Sequence, residues 1–196
     1  MKDVVKQSKR LSRLLRHGAG ERGLAMSPDG WAAIQDVCDL LAMDRTTLDR
    51  AVLHNDKSRL QVDGERIRAC QGHSLEGMPV TCEALENSWR PVRPAELLWH
   101  GTTAAALESI QKAGLLPGRR THVHLAPSVD SRVGKRSAVD VLLGIDAGDL
   151  EVFEAPNGVL LTRQVPVDAI VRVTRSTGVG GLEARLGPDP SSRTWE

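Results

Sequence analysis

Arginine and histidine residues in four short segments are the side chains of this sequence best suited to chemistry. The segments are the pair Arg16-His17, residues 66–74 (RIRACQGHS), residues 99–103 (WHGTT) and residues 122–126 (HVHLA). An arginine guanidinium offers a planar fork of donors that matches phosphate oxygens. A histidine can donate or accept a proton near neutral pH. An adjacent arginine and histidine could therefore bind a phosphate and protonate a leaving oxygen.

Each of these segments also has a structural interpretation, which the residues alone leave open. Cations such as Arg16 and His17 complement the dipole at a helix C-terminus, and arginines on an exposed hairpin are often only solvated. WHGTT also fits an ordinary strand-to-helix turn with a capping threonine. In HVHLA, strand alternation directs His122 and His124 to one face, where they could be packed, face a ribose or bind a metal. The metal interpretation lacks an evident third ligand.

Common cofactor and metal motifs are absent from the sequence. It contains no GxxxxGK[ST] phosphate loop, no GxGxxG after a predicted strand and no HExxH zinc helix. The three cysteines, Cys38, Cys70 and Cys82, form no CxxC pair, so we expect neither a disulfide framework nor a structural metal. Four tryptophans, one phenylalanine and no tyrosine argue against a protein that stacks successive bases of a single strand.

Composition and charge limit the class of protein. The 196 residues, 40% hydrophobic and 26% charged, suffice for one large or two small cores. Residues 1–22 carry seven basic and two acidic side chains, a local net charge of +5, which suits an anionic partner or a solvated helix face. No apolar run reaches the roughly 18 residues of a membrane span, and the first residues lack the apolar stretch of a signal peptide. We therefore expect a cytoplasmic protein without membrane association.

The N-terminal half reads as helices followed by a hairpin. Leucine spacing and amphipathic patterns predict helices at residues 8–17, 31–41 and 44–53. Asp44 is a suitable N-cap for the third helix. Asp63-Gly64 favours a tight hairpin turn, and alternation after it places Arg66 and Arg68 on one face. Three helices followed by two strands predict a winged helix.

The C-terminal half is predicted to be rich in short strands. The proline-rich residues 89–96 indicate a linker or an extended boundary strand. A strand at 97–100 and a helix at 104–113, closed by Gly114, come next. Further strands are predicted within residues 121–126, 138–146, 150–155 and 158–165. The fold class is therefore α+β, with a loosely held tail after about Arg175.

Eight segments, in order and spacing, resemble the RNA 2′-phosphotransferase family, whose members are NAD-dependent tRNA 2′-phosphotransferases. They read LSRLLRH, GL…DGW, RIRACQGHS, LWHGTT, GLLPGRRTHVHLA, GKR…VLLGID, NGVLLT and VP. Each segment is short, but together they extend from about residue 11 to about residue 170. The resemblance therefore covers nearly the whole chain.

The resemblance implies a two-lobed α+β protein and a two-step reaction. Residues 1–93 would form a winged-helix RNA-binding lobe, and residues 94–196 an ADP-ribosyltransferase-like NAD-binding lobe. An internal RNA 2′-phosphate would attack the ribose carbon that carries nicotinamide, giving a 2′-phospho-ADP-ribosyl RNA. A ribose hydroxyl would then attack the phosphorus, giving 2′-OH RNA and ADP-ribose 1″,2″-cyclic phosphate. The implied partners are RNA bearing a 2′-phosphate and NAD as co-substrate, and we expect a monomer.

The resemblance also implies the site residues. The family's Arg-His-Arg-Arg tetrad maps onto Arg16, His17, Arg68 and Arg136. Within it, His17 is our candidate general acid for the departing 2′-oxygen. The expected NAD-binding residues are His100, Gly101, Thr102, His122, His124 and Arg119. Arg119 and Arg120 are not separable as candidates for the pyrophosphate, and Asn157 and Gly158 are expected to form a turn beside the site.

Other functions stay open on the sequence. The same residues could serve an NAD-dependent ADP-ribosyltransferase that acts on terminal RNA or DNA phosphates. A non-catalytic winged-helix nucleic-acid binder is a further alternative, but this function does not explain the segments WHGTT, HVHLA and Gly134-Lys135-Arg136. A protein-directed ADP-ribosyltransferase is disfavoured, because its typical Glu-x-Glu pair is absent from the strand-rich half.

Overall fold

Helices and antiparallel strands occur in both halves of the chain, which confirms the α+β class. The computed structural model describes residues 2–55, 58–131 and 139–175, so the predicted tail lies outside the described residues. The helices are α1 (Lys2–Arg13), α2 (Ile34–Leu41), α3 (Arg45–Leu53), α4 (Cys82–Asn87) and α5 (Leu107–Ala113), with a π-helical turn at Leu14–Gly18 and 3₁₀ turns at Ala104–Ala106 and Val167–Ala169. The strands are β1 (Ala32–Ala33), β2 (Leu60–Asp63), β3 (Arg66–Ala69), β4 (Arg90–Val92), β5 (Leu98–Thr102), β6 (Val123–Leu125), β7 (Val141–Ile145), β8 (Val152–Glu154), β9 (Leu160–Thr162) and β10 (Ile170–Arg175).

The first helix is longer than its leucine pattern predicts. It begins at Lys2, and the π-helical turn carries the helical segment on to Gly18. The leucines that predicted it are buried: Leu11, Leu14 and Leu15. A π-helical turn is wider than an α-helical one and is often found at functional sites. Here it contains Arg16 and ends the segment next to the loop at residues 71–75, where the amide of Ser74 bonds the Arg16 carbonyl.

Local sequence signals account for α3 and the hairpin, and less well for α2. The carboxylate of Asp44 accepts a hydrogen bond from the amide of Thr47 at 2.7 Å, which confirms the predicted N-cap. The β2–β3 hairpin turns at Gly64, whose φ of 56° favours glycine. The second helix begins at Ile34 instead of Trp31, because Ala32–Ala33 pairs with β3 as a short third strand.

The strands form three antiparallel sheets, with orders β1-β3-β2, β4-β8-β9-β6 and β10-β7-β5. Within the proline-rich residues 89–96, β4 pairs with β8, so the boundary-strand interpretation is the correct one there. Pro91 is tolerated because β4 is the edge strand of its sheet. The sequence patterns did not predict α4 or β10.

Two hydrophobic cores hold these elements together. The first includes Leu15 and Ile67 and also Leu161, which comes from β9 in the C-terminal half. The second lies within the C-terminal half and includes Leu98 and Leu143. Side chains from both sides of position 93 therefore share the first core. Among the described residues, no helix has the length and apolar character needed to cross a membrane.

Candidate functional site

The guanidinium of Arg16 is well suited to binding an anion. Its Nε and Nη2 atoms are buried, and neither donates to an acceptor among the described residues. Gly72 packs against it, since a Cβ at that position would lie 3.5 Å from Arg16 Cζ. Burial, followed by repulsion from Arg59 and Arg120, lowers the pKa of Arg16 to about 10. A buried cation without a partner is costly, so this guanidinium is suited to binding an anionic ligand.

His17, the next residue, is held by Ser74. Its Nδ1 lies 2.9 Å from the Ser74 hydroxyl oxygen. The Ser74 backbone N–H donates to the Arg16 carbonyl at 2.9 Å, so one serine fixes both residues of the pair. Burial, and then the positive charges of Arg16, Arg120 and Arg13, lower the pKa of His17 below its usual value. Without a bound anion, His17 is therefore biased towards its neutral form.

Ser74 belongs to a short antiparallel pair that joins the two halves of the chain. Ser74 and Arg120 are bridge partners. The amide of Thr121 donates to the carbonyl of His73 at 3.0 Å, and the amide of Leu75 donates to the carbonyl of Arg119 at 3.4 Å. This pattern makes Ser74 and Arg120 a non-hydrogen-bonded pair, whose side chains lie close together on one face. Arg120 is thus brought to the Arg16-His17 pair.

Arg68 is buried and held from several sides, with 5% of its surface exposed. Its Nε donates to Gln61 Oε1 at 2.9 Å, and Nη1 donates to the Asp29 carbonyl at 3.2 Å and to the Ser88 hydroxyl at 2.8 Å. Its Cζ lies 4.7 Å from the centre of the Trp31 ring. Nη2 donates to no described residue. The fixed guanidinium therefore keeps one amino group for a ligand.

Sequence reasoning did not select the residues that hold Arg68. The sequence could have indicated Gln61 as a partner of Arg68, because the two residues lie directly across the hairpin in the register that a turn at Asp63-Gly64 defines. No sequence pattern indicated Ser88, since it follows α4, which was not predicted.

His73 is fully buried beside the two arginines. Neither of its ring nitrogens has a hydrogen-bond partner among the described residues. Gly30, with a φ of 90°, lies against it, since a Cβ there would be 3.0 Å from His73 Nε2. Burial, and then the charges of Arg16 and Arg68, lower its pKa to about 3. His73 therefore favours its neutral form near neutral pH.

His124 connects Arg120 to the loop that follows β3. Its Nδ1 lies 2.8 Å from Arg120 Nη1, and its Nε2 lies 2.8 Å from Gln71 Oε1. A guanidinium only donates, so Nδ1 accepts, and the ring proton is on Nε2 and is donated to Gln71. Burial, and then the charge of Arg120, lower the pKa of His124 to about 3, which agrees with a neutral ring. His100 Nδ1 donates to the His124 carbonyl at 2.9 Å.

His122 has different surroundings. Its side chain is 1% exposed, and its Nε2 lies 2.9 Å from Glu86 Oε1. Arg163 donates to both oxygens of Glu86 at 2.7 Å. The ring also packs edge-on against Trp89, with centres 4.9 Å apart. These contacts give His122 a place in the packing between α4 and β9, and its predicted role in cofactor binding stays a prediction.

Gly101 and Thr102 lie within β5 and not in a turn after it, because the strand extends from Leu98 to Thr102. A Cβ at Gly101 would lie 2.8 Å from Cγ1 of Val139. A glycine is therefore required here for packing against Val139, whether or not a cofactor approaches. Thr102 is buried, and its carbonyl accepts a hydrogen bond from the amide of Asp140 at 3.2 Å.

The remaining predicted residues divide into three groups. Arg119 is exposed in the turn before Arg120, and its side chain bonds no described residue. Asn157 and Gly158 form the turn between β8 and β9, where the amide of Gly158 donates to the Ala155 carbonyl at 2.9 Å. Arg136 lies outside the described residues.

The site therefore concentrates positive charge. Arg16, His17 and Arg120 surround Ser74, and Arg68 joins them across His73. The Asp29 carboxylate, 3.8 Å from Arg68, offsets part of this charge. An anion with several oxygens, such as a phosphate, has the charge and shape that these donors require. The arrangement can bind such a group and place an imidazole beside it.

Comparison with known proteins gives one consistent result. The family model described as "RNA 2′-phosphotransferase, Tpt1 / KptA family" matches residues 2–164. A protein of Burkholderia lata named "Probable RNA 2′-phosphotransferase" is 41% identical over 180 residues, which cover 85% of this chain and 89% of that protein. Proteins with the same name from Pseudomonas aeruginosa strain UCBPP-PA14 and Streptomyces griseus are 41% and 36% identical, over 82% and 83% of this chain and 92% and 93% of theirs.

Proposed function

Because this chain belongs to the RNA 2′-phosphotransferase (Tpt1 / KptA) family, we propose that it removes an internal 2′-phosphate from RNA in an NAD⁺-dependent reaction. The products are RNA with a free 2′-OH, ADP-ribose 1″,2″-cyclic phosphate and nicotinamide. RNA of the tRNA splice-junction type is the proposed substrate class. We also propose that residues 1–93 act as a winged-helix RNA-binding lobe and residues 94–196 as an ADP-ribosyltransferase-like lobe.

The observation that carries the proposal is that two nitrogens of the Arg16 guanidinium are buried without a partner in the part of the chain that the structure describes. These atoms, Nε and Nη2, require an acceptor that the described protein groups do not provide. An RNA 2′-phosphate provides several oxygens and up to two negative charges. Such a group would satisfy Arg16 and offset the charge of Arg120, which lies on the same face of the paired segment as Ser74. The same donors explain why a phosphate monoester would be preferred over a plain hydroxyl.

The arginines are assigned to charge neutralisation. A 2′-phosphate is already an anion, so its attack requires no general base. The reaction requires stabilisation of charge on the phosphate oxygens during both attacks. We propose that Arg16, and Arg68 through its Nη2 group, supply it, with Arg136 and His17 as the other members of the set. Because Arg68 is already fixed by Gln61 and Ser88, little reorganisation is needed when the phosphate binds.

His17 is assigned as the general acid for the 2′-oxygen that leaves in the second step. Ser74 engages Nδ1 at 2.9 Å, so Nε2 is the nitrogen that can give a proton to the substrate. The positive neighbours lower the pKa of His17, and a bound phosphate would offset them. Substrate binding therefore favours the protonated form that a general acid requires.

The NAD⁺ side is proposed to lie along β5 and β6. NAD⁺, when bound, supplies the ribose carbon that accepts the phosphate and the hydroxyl that later displaces the RNA. The residues here suit a polar ligand, because the imidazole of His100 is oriented by the His124 carbonyl at 2.9 Å. We propose that His100, Thr102 and the backbone at Gly101 bind the cofactor. We propose that His124 lies beside these residues in the cofactor site. His122 supports strand β6 through its contact with Glu86.

A label-transfer assay tests the proposal. An oligonucleotide with one ³²P-labelled internal 2′-phosphate is incubated with the protein, with and without NAD⁺, and the products are separated. We expect the label to move to ADP-ribose 1″,2″-cyclic phosphate only when NAD⁺ is present. Arg68→Ala should abolish the transfer. Arg66→Ala is the matched control, because Arg66 is on the same strand and over the same Trp31 ring but is exposed.

The other outcomes identify the alternatives. Label retained on RNA that carries an added ADP-ribose would show that the second step does not occur. Transfer of ADP-ribose to a terminally phosphorylated oligonucleotide, with no loss of the internal 2′-phosphate, would replace the proposal with terminal-phosphate modification. Binding of RNA without any NAD⁺-dependent product would leave a nucleic-acid binder.

A further inference from the structure

Arg120 has a defined place that the sequence could not assign. It is the bridge partner of Ser74, in a non-hydrogen-bonded pair that directs both side chains to one face. On that face the Ser74 hydroxyl meets His17 at 2.9 Å. Arg119 lies in the preceding turn, and its side chain bonds no described residue. Of the two adjacent arginines, Arg120 is therefore the one that belongs to the site.

Two further side chains hold Arg120 in this place. His124 Nδ1 accepts a hydrogen bond from Arg120 Nη1 at 2.8 Å, which is possible only while that nitrogen carries no proton. Gln71 fixes this state from the other side of the ring, because its Oε1 accepts the Nε2 proton at 2.8 Å. Gln71 is 8% exposed and comes from the loop after β3, in the other half of the chain. The three residues form a continuous link across the two halves.

We infer that Arg120 is an additional ligand of the RNA 2′-phosphate, and that Gln71 and His124 are positioning residues that orient its guanidinium. The inference rests on the proposed function and extends it to three residues outside the tetrad. It assigns Arg120 to the RNA phosphate instead of the NAD⁺ pyrophosphate, because Arg120 lies beside Ser74 and His17. The ring of His124, which is fixed by Gln71, orients the Arg120 guanidinium and takes no part in proton transfer.

Binding of RNA without NAD⁺ is the first test. Two oligonucleotides of one sequence, with either a 2′-phosphate or a 2′-OH at one internal position, are titrated by fluorescence anisotropy. Loss of a charge-assisted hydrogen bond should weaken binding of the phosphorylated strand by about tenfold to a hundredfold in Arg120→Ala. Binding of the 2′-OH strand should change little. Arg50→Ala, which removes an exposed arginine from α3, should preserve the preference for the phosphate.

A double-mutant cycle tests the positioning role. Gln71→Met keeps the length of the side chain but removes the acceptor, and it should weaken binding of the phosphorylated strand. Combined with Arg120→Ala, it should add almost nothing, because Gln71 acts through Arg120. Additive losses would overturn the positioning role. Thermal unfolding of Gln71→Met verifies that the variant is folded.

Gln71→Glu provides a pH readout that a purely structural role would not give. A carboxylate at this position stabilises the protonated His124 ring, which can no longer accept from Arg120. Burial, and then the charges of Arg120, Arg16, His100 and His122, favour the neutral ring in the wild type. As the pH falls, binding of the phosphorylated strand should begin to weaken at a higher pH in Gln71→Glu than in the wild type. Identical pH profiles would contradict the inference.

Kinetic constants separate this inference from the proposed function. If the wild type is active, Arg120→Ala should raise the KM for RNA more than the KM for NAD⁺. The increase in the KM for RNA should be at least tenfold smaller in Arg119→Ala. A change confined to the KM for NAD⁺, or a larger loss in Arg119→Ala, would overturn the assignment. If the wild type shows no NAD⁺-dependent reaction, the proposed function fails. The two binding titrations would still decide whether Arg120 binds the phosphate.

Discussion

The hydroxyl oxygen of Ser74 lies 2.9 Å from Nδ1 of His17, and the amide of the same serine bonds the carbonyl of Arg16 at 2.9 Å. One residue from the loop after the hairpin therefore sets the orientation of an arginine-histidine pair that lies more than fifty residues earlier in the chain. The pair lies within a π-helical turn, a wide and uncommon form of helix. Without Ser74, the π-helical turn alone would not define which ring nitrogen faces the substrate.

Ser74→Ala should slow the second step of the proposed reaction. Removing one hydrogen bond of ordinary strength should lower the single-turnover rate by roughly threefold to tenfold, with little change in the KM for NAD⁺. Rapid-quench measurement of the second step provides the test. Ser109→Ala, which removes an exposed hydroxyl on α5, is the control. An unchanged second step would show that Ser74 does not orient His17 for catalysis.

The pKa of His17 should respond to phosphate. In the free protein it lies below the usual value, because burial and the nearby charges of Arg16, Arg120 and Arg13 disfavour the imidazolium. A bound anion offsets these charges, so the pKa should rise when a 2′-phosphorylated oligonucleotide binds. NMR titration of the histidine ring resonances, assigned with His17→Gln, measures both values. A pKa that falls on binding would contradict the role of His17 as general acid.

Gly72→Ala should impair phosphate binding beyond its effect on stability. Gly72 has a φ of 87°, where a side chain strains the backbone, and a Cβ there would be in van der Waals contact with Arg16 Cζ at 3.5 Å, so a backbone shift at this residue would move the guanidinium. Gly23→Ala is the matched control, since Gly23 has a φ of 65° and nothing within 4 Å of its Cβ position. Both variants should lose about 1–2 kcal/mol of unfolding free energy, the usual cost of placing a side chain in this backbone region. Equal phosphate affinity in both variants would show that Gly72 does not shape the Arg16 site.

Protein stability should decrease as the pH falls from 6.5 towards 3. In the folded state the pKa of His73 and that of His124 are each lowered to about 3, whereas an unfolded histidine has a pKa near 6.5. The unfolded chain therefore binds more protons in this window, so the free energy of unfolding drops by up to about 1.4 kcal/mol per pH unit for each histidine. Above pH 7 these two groups contribute no slope.

Urea denaturation at a series of pH values measures this dependence. His73→Leu should reduce the slope, because one buried histidine fewer takes up a proton on unfolding. A slope in His73→Leu equal to that of the wild type would show that His73 is not held neutral by the fold.

Several features of the protein followed from the sequence because they depend on local interactions. Asp44 caps a helix through the amide of a residue three positions later, and Asp63-Gly64 defines a hairpin within a few residues. The same register would have placed Gln61 opposite Arg68. The helix after β5 was predicted to end at Ala113, and Gly114 does close it with a φ of 72°. The winged-helix and ADP-ribosyltransferase-like lobes, the NAD⁺ dependence and the roles of the tetrad stay predictions.

Long-range contacts could not be predicted in this way. No local pattern relates Glu86 to Arg163, 77 residues later, yet their ion pair and the contact with His122 determine where that histidine lies. The edge strand β4 looked like a linker or a boundary strand, because only its pairing with β8 distinguishes the two. Likewise, the choice between Arg119 and Arg120 depended on a pairing between segments about 45 residues apart.

The sequence by itself determined the residue types, the order of the segments and most of the local elements, because helix caps, turns and periodic burial depend on neighbours in the chain. It also determined the family, through eight segments whose order is more specific than any one of them. Tertiary structure decided which side chains meet and in which protonation state. Two nitrogens of Arg16 are buried without an acceptor among the described residues, and burial beside other positive groups favours a neutral His124. Burial and charge in three dimensions, which no spacing along the chain encodes, make this cluster a site for an anion.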